Sequence, residues 1–181
     1  MKKNSEELLK QLQEFTCPVW DELPSLELYV DQVVALINET LNPLLADSDD
    51  VLITKSMVNN YVKNSILHPP VKKHYKKYHI AFLIVVVILK KCYSLSEISQ
   101  MIQIYWDMND QRINLHYDAF IQYFTTFLQE IMKTGNTPQI DFDERSFEQT
   151  LMIHVILTAV NKIYTEYLLI VDQEKRINSK N

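Results

Sequence analysis

The chain has a single glycine, Gly135, in 181 residues. Glycine supplies the positive φ angles that hairpins, bulges and phosphate-binding loops require, so its scarcity argues against a dinucleotide fold or a phosphate loop and favours helices. Cysteine is also rare. Cys17 and Cys92 stand apart, without the paired spacing of a zinc knuckle or a disulfide framework, which favours a reducing, cytoplasmic location.

Long apolar runs and catalytic motifs are missing as well. The most apolar segment, residues 80–89, is shorter than the roughly 17 to 25 residues of a membrane-spanning helix and is typical of a buried core helix. The first residues lack the apolar stretch of a signal peptide, so we expect neither secretion nor a membrane contact. There is no nucleophile elbow, no His-Glu-x-x-His and no phosphate loop, so we expect neither an enzyme nor a bound cofactor.

Acidic residues are absent between positions 51 and 96, although the whole chain has a formal net charge of −5. The lysines of this segment are Lys55, Lys63, Lys72, Lys73, Lys76, Lys77, Lys90 and Lys91. A basic face on an acidic protein can attract a phosphate backbone locally while limiting contact elsewhere. This segment is therefore the candidate contact with nucleic acid.

Apolar periodicity predicts an all-α, mainly helical protein. We expect Ser25 to cap the second helix and Thr54 the third, and Ser94 with Glu97 three residues later is a capping-box pattern. Proline and the Gly135 turn mark the breaks. The predicted helices span residues 4–15, 26–41, 54–64, 79–91, 95–102, 113–133 and 144–175.

The helix predicted over residues 54–64 divides into two faces. One is apolar at the spacing of a buried stripe, and the opposite one is polar. Asparagine can donate and accept together at an adenine edge, and lysine can reach guanine or phosphate, so the polar face suits a major groove. An ordinary solvated face has the same composition. The apolar stripe is Met57, Val58, Tyr61 and Val62, and the polar face is Ser56, Asn59, Asn60 and Lys63.

A basic and aromatic stretch, residues 71–78, follows the helix breaker His68-Pro69-Pro70. We interpret it as a short two-stranded wing whose cations and tyrosine hydroxyls position the protein by phosphate contacts. Three histidines lie in or beside this stretch, but no cysteine or carboxylate accompanies them as in a metal site, so no metal is predicted; they are His68, His74 and His79. The predicted DNA contacts outside the polar face are Lys55, Lys72, Lys73, His74, Tyr75, Lys76 and Lys77.

These pieces resemble the DNA-binding head of MerR-type regulators. The residues that carry the resemblance are, in order, Asn59-Asn60-Tyr61, Ile66-Leu67-His68-Pro69-Pro70, His74-Tyr75-Lys76-Lys77-Tyr78 and Tyr93-Ser94-Leu95-Ser96-Glu97-Ile98. The resemblance covers residues 54–102, with 26–41 as the first helix, and implies a winged helix-turn-helix. More narrowly, residues 28–33, 54–63 and 68–73 are similar to a bacterial family, domain of unknown function 1836, which implies a similar fold and no settled role.

The chain departs from the MerR pattern at three places. Asn59-Asn60-Tyr61 stands where Arg-Tyr-Tyr is usual, His74 stands where the wing has glycine, and the link of residues 42–53 exceeds the usual tight turn. Because the arginine that contacts the DNA backbone is missing, we expect phosphate contacts to have moved to Lys55, Lys63 and the wing lysines.

Three regions are predicted: an N-terminal helix and linker (1–24), a winged helix-turn-helix (25–105) and a helical dimerisation or effector region (106–181). The last helix is apolar on two sides, so one side would face its own chain and the other a second subunit. Burial inside a larger monomer fits the same pattern. The first stripe is Phe147, Leu151, Val155 and Thr158, and the second is Ile156, Val160, Ile163, Tyr167 and Ile170.

The leading hypothesis is a dimeric transcriptional regulator that binds double-stranded DNA at paired half-sites. A small-molecule effector is a further hypothesis, because the second half is rich in aromatic residues that can line a pocket. The alternative is a protein–protein adaptor or a ligand-sensing helical module that keeps the winged-helix shape without reading DNA. In the adaptor, the lysines would meet an acidic partner.

Overall fold

The computed structural model describes residues 3–46, 50–106 and 112–179, and the all-α expectation is confirmed over these residues. Their only β-structure is two isolated antiparallel bridges. The helices are α1 (Ser5–Gln13), α2 (Val30–Leu41), α3 (Lys55–Lys63), α4 (Lys77–Leu89), α5 (Leu95–Trp106), α6 (Ile113–Thr134) and α7 (Phe147–Asn178), with short 3-10 helices at Trp20–Glu22 and Asn42–Leu44.

The chain forms two compact units that alternate along the sequence. The central unit comprises Cys17–Asn42 and Val51–Gln122, and the terminal unit comprises Met1–Thr16, Pro43–Asp50 and Tyr123–Asn181. The functional division predicted at residues 25 and 106 stays a prediction, because compactness alone does not tell what a region binds.

Side-chain caps begin several helices. The Thr54 hydroxyl accepts a hydrogen bond from the Met57 N–H at 3.3 Å. The Ser94 N–H donates to the Glu97 carboxylate at 2.7 Å, and the Glu97 N–H donates back to the Ser94 hydroxyl at 3.3 Å. The caps predicted at Thr54 and Ser94 are therefore confirmed. Ser146 caps α7 in the same way, so α7 begins at residue 147 rather than 144.

The expectation that Ser25 caps the second helix was wrong, because α2 begins only at Val30. Leu28 forms an antiparallel bridge with Tyr75, donating its N–H at 2.9 Å and accepting at 2.8 Å. A residue whose backbone groups pair across a bridge cannot also enter a helix. Tyr29, predicted on the buried face, instead precedes α2 and is 55% exposed.

Helix α4 forms the core of the central unit. Most of its residues are buried, and its apolar side chains surround the helix instead of following one face. Helix α2 packs against both α3 and α4. The apolar run of residues 80–89 is thus a core segment, as predicted. Within the described ranges, no helix has the length and apolar character needed to cross a membrane.

In the terminal unit, α1 packs against α7. The backbone N–H of Ser5 donates to the Glu174 carboxylate at 2.8 Å, and the Ser5 hydroxyl bonds to the same carboxylate. Phe15 and Phe124 contact edge to face, with ring centroids 5.9 Å apart. An ionised carboxylate at a helix N-terminus also meets the positive end of the helix dipole, which stabilises this contact.

The predicted stripes of α7 need correction. Ile156, Val160 and Ile163 of the second stripe are buried within the single chain, so their burial requires no second subunit. Phe147 and Thr158, predicted on the first stripe, are exposed. Apart from Phe147, the large apolar residues that α7 leaves exposed lie in its C-terminal half, at Leu168, Leu169 and Ile177.

Candidate nucleic-acid interface

One side chain, Asn38 on α2, anchors the long link between α2 and α3. Its Oδ1 accepts from the backbone N–H groups of Leu52 at 2.9 Å and Ile53 at 3.2 Å, and its Nδ2 donates to the Ile53 carbonyl at 2.8 Å. Residues 47–49 of the link lie outside the described residues. Asn38 therefore fixes the point at which the chain returns to α3, and with it the placement of α3 against α2.

The two faces predicted for α3 are confirmed. Val58 and Tyr61 are buried, at 0% and 1% exposed, whereas Met57 and Val62 are half-buried. One of the outward side chains has a local partner, because the Asn60 Oδ1 accepts from the Asn64 side chain at 2.9 Å. The polar face, Ser56, Asn59, Asn60 and Lys63, is exposed throughout.

Residues 71–74 form a tight reversal that we call the lysine turn. The His74 N–H donates to the Val71 carbonyl at 2.9 Å, and Lys72 and Lys73 have φ angles of 50° and 66°. Two consecutive left-handed residues define a type I′ turn, for which Asn-Gly is the favoured pair. Non-glycine residues in this region cost roughly 1–2 kcal/mol each, so neighbouring contacts must hold the turn.

Two contacts hold the lysine turn in place. The His74 ring lies against the Tyr29 ring with centroids 4.5 Å apart, and Tyr75 pairs with Leu28 in the antiparallel bridge. The Tyr75 side chain is only 3% exposed and contacts the ring of His79 edge-on, and burial raises the pKa of its hydroxyl. The structure therefore makes Tyr75 a packing residue, in contrast to the phosphate contact expected from its sequence.

The lysine turn and α3 meet at the N-terminal end of α2. His74 contacts Tyr29, which immediately precedes α2, while Asp31 in the first turn of α2 forms an ion pair with Lys55, the first residue of α3. Sequence reasoning missed Tyr29 and Asp31, because a helix begun at residue 26 placed both in its interior. The Leu28–Tyr75 bridge that moves the helix start has no local signal.

The lysines of the basic segment differ in their surroundings. Lys55 is ion-paired, Lys77 lies 5.6 Å over the Trp20 ring, and Lys90 lies 5.7 Å over the Tyr61 ring. Lys77 belongs to α4, so the predicted wing of residues 71–78 extended too far. Within the described part of this segment, four exposed lysines have neither an ion pair nor a ring contact: Lys63, Lys72, Lys73 and Lys76.

A family model matches much of the chain. Residues 18–124 match the domain of unknown function DUF1836. The chain belongs to this family. The family predicted from residues 28–33, 54–63 and 68–73 is thereby confirmed, and the DUF1836 region contains α2 to α5, the lysine turn and the start of α6. No curated protein and no solved structure matches the chain significantly.

In the DUF1836 region, the His79 side chain caps the N-terminus of α4. The Lys76 N–H donates to the His79 Nδ1 at 2.9 Å, at the position where glutamate or glutamine normally completes a capping box. His79 is fully buried, and burial lowers its pKa despite the nearby carbonyls of His68, Lys76 and Pro69. Its ring is therefore neutral at pH 7, which leaves Nδ1 able to accept the bond.

We predict that His79 makes the stability of the protein depend on pH. In the folded chain the pKa of His79 is lowered from 6.5, so as the pH falls His79 is protonated in the unfolded chain before it is protonated in the folded chain. The free energy of unfolding therefore decreases as the pH drops below 6.5. The loss is at most about 1.4 kcal/mol per pH unit. His79→Gln keeps an acceptor for the Lys76 N–H and does not titrate.

Urea unfolding at pH 7.5 and 5.5 checks this prediction. We expect the wild-type protein to lose more stability than His79→Gln over this interval. His116, whose pKa burial also lowers, contributes equally to both proteins and cancels. Equal losses in the two proteins would contradict the prediction.

The DUF1836 region offers little for metal or thiol chemistry. No group of three His, Cys, Asp or Glu side chains among the described residues could hold a metal ion. Burial raises the pKa of the Cys17 thiol to about 12, so the thiol stays protonated and unreactive at neutral pH. Its neighbour Tyr117 donates its hydroxyl to the Pro18 carbonyl at 2.8 Å. The exposed polar face and the lysine turn are the candidate binding features of this region.

Proposed function

We propose that this DUF1836 protein is a transcriptional regulator that binds double-stranded DNA through a MerR-like winged helix-turn-helix. Helix α3 enters the major groove, and the lysine turn serves as a minimal wing. Helix α3 and the lysine turn both belong to residues 51–96, which contain eight lysines and no acid, and they meet at the end of α2 beside Asp31. This meeting is the observation that carries the proposal. A face of this kind neutralises phosphates and releases counterions.

The proposal divides the residues by role. Asn59 and Asn60 of α3 reach base edges, because an amide both donates and accepts at adenine. Lys63, Lys72, Lys73 and Lys76 contact phosphates and set the register of the protein on the duplex. Lys55 joins them by exchanging Asp31 for a phosphate, and little is lost, since both partners of this ion pair are more than half exposed.

Fluorescence polarisation with fragments of the genome tests the proposal. We expect one or more fragments to bind at least about 1000-fold more tightly than bulk DNA, the lower end for specific DNA-binding proteins. Pull-downs from the native lysate, with and without nuclease, separate the adaptor. Recovery of one protein partner regardless of nuclease, together with no preferred fragment, would replace the DNA-binding proposal by the adaptor.

We further propose that the protein dimerises through the C-terminal half of α7. Leu168 and Leu169 are exposed there at adjacent positions, and a symmetric pair of such helices would bury them. We expect sedimentation velocity to show a dimer at micromolar concentration. Leu168→Glu with Leu169→Glu should give a monomer, because the pair would bring like charges together in an apolar contact.

The matched control for the dimer is Leu115→Glu. Leu115 is 59% exposed and Leu169 is 58% exposed, but Leu115 lies at the start of α6. The control should remain dimeric. A wild-type protein that sediments as a monomer, or a Leu115→Glu monomer, would overturn the assignment of the interface to α7.

A further inference from the structure

The lysine turn combines charge with exposed apolar surface. Val71 is 54% exposed directly beside Lys72 and Lys73, and Tyr29, also more than half exposed, lies against His74 on the flank of the turn. Contact with phosphates alone needs only the cations. An apolar residue next to cations is the combination that proteins place in the minor groove, where sugars form the walls and base edges the floor.

We propose that the lysine turn inserts into the minor groove and selects A·T-rich DNA there. The proposal rests on the proposed function. It adds that the turn distinguishes base pairs in the groove, beyond the phosphate contacts proposed above. At the tip of a two-residue turn the side chains of Lys72 and Lys73 project beyond the backbone, and it is these side chains that enter the minor groove, which is about 6 Å wide. A·T tracts narrow the groove and strengthen its negative potential, which attracts lysine, whereas guanine adds an amino group on the floor.

The backbone of the turn supports this assignment. Lys72 and Lys73 both have positive φ angles, although Asn-Gly would adopt the same type I′ turn with less strain. Strain at an exposed turn persists where the side chains serve a contact. Two lysines at these positions place two charges within one turn, the arrangement that a narrow groove of high negative potential favours.

Inosine substitution tests the proposal directly. The probe is the preferred genomic fragment, in which each A·T pair is replaced in turn by a G·C pair and, in a second series, by an I·C pair. Inosine lacks the guanine amino group of the minor groove but keeps the major-groove edge. At the positions under the lysine turn we expect I·C to bind roughly fivefold or more tightly than G·C, and about as tightly as A·T.

Lys72→Asn with Lys73→Gly supplies the matching protein variant. It favours the same turn and removes both charges, so it should fold with an unchanged or higher melting temperature. We expect it to bind I·C and G·C probes equally. Lys10→Asn with Lys133→Asn, which changes the net charge by the same amount in the terminal unit and leaves α7 unchanged, should keep the I·C preference.

The outcomes separate the two proposals. A preferred fragment that binds I·C and G·C probes equally at every position overturns the minor-groove assignment and leaves the DNA-binding proposal standing. An I·C preference that persists in the Lys72→Asn, Lys73→Gly variant also overturns it, because the turn lysines then do not distinguish the base pairs. If no duplex binds, both proposals fail. Val71→Ala, expected to reduce the I·C preference, provides a second test without a backbone change.

Discussion

Replacing Lys63, Lys72, Lys73 and Lys76 by alanine is expected to weaken binding to the preferred DNA fragment by about 100- to 1000-fold at 0.1 M salt. These lysines are exposed, and none has an ion-pair partner among the described residues, so their charges are available to phosphates. Each phosphate contact contributes about 0.9 to the slope of log K against log salt. The slope should therefore become shallower by about 3 to 4.

A salt titration by fluorescence polarisation measures both quantities. The matched control replaces Lys10, Lys133, Lys162 and Lys175 of the terminal unit, which changes the net charge equally. We expect the control to keep nearly the wild-type slope, since long-range attraction between exposed charges is largely screened at this salt concentration. Equal losses in the two variants would mean that net charge, and not this face, determines binding.

Asn38→Ala is expected to lower the free energy of unfolding by about 2–4 kcal/mol. The substitution removes the acceptor for the Leu52 and Ile53 N–H groups and the donor for the Ile53 carbonyl, and Ile53 is fully buried. Each buried backbone group left without a partner costs about 1–3 kcal/mol, less where water can reach it. The same change should weaken DNA binding, because Asn38 holds the start of α3.

Urea denaturation checks the stability of Asn38→Ala. Asn64→Ala is the control, since the Asn64 side chain donates to Asn60 through exposed hydrogen bonds only, and its removal should cost less than about 1 kcal/mol. If Asn38→Ala unfolds at the same urea concentration as the wild type, water forms hydrogen bonds with the backbone groups of the link in place of Asn38. The placement of α3 would then not depend on Asn38.

Local signals explain what the sequence predicted well. Thr54 and Ser94 cap their helices within four residues of the bonds they make, and the two faces of α3 follow from spacing alone. The exposed part of the candidate site was also predictable, because lysine and asparagine on the polar side of a short helix remain in solvent. These features depend on neighbours in the chain.

Contacts between distant segments, and two local features built from unusual residues, explain what the sequence did not predict. Leu28 pairs with Tyr75, which delays α2 and buries a tyrosine expected on the DNA. His79 closes a capping box in place of glutamate, so α4 starts earlier than its apolar run. The lysine turn contains no glycine, and its type could not be recognised without φ angles. The role of Asn38 could not be predicted either, because its partners Leu52 and Ile53 lie at the far end of the link of residues 42–53.

The Leu28–Tyr75 bridge has a consequence for binding affinity. It is an isolated bridge of two backbone hydrogen bonds, and it joins segments far apart in sequence beside a turn in an unfavourable conformation. We expect this region to open at a lower free energy than the core around α4. Only molecules with the turn closed present both lysines together, so the measured dissociation constant equals the intrinsic one divided by the closed fraction. A substitution that shifts this population would change affinity without touching a contact to the ligand.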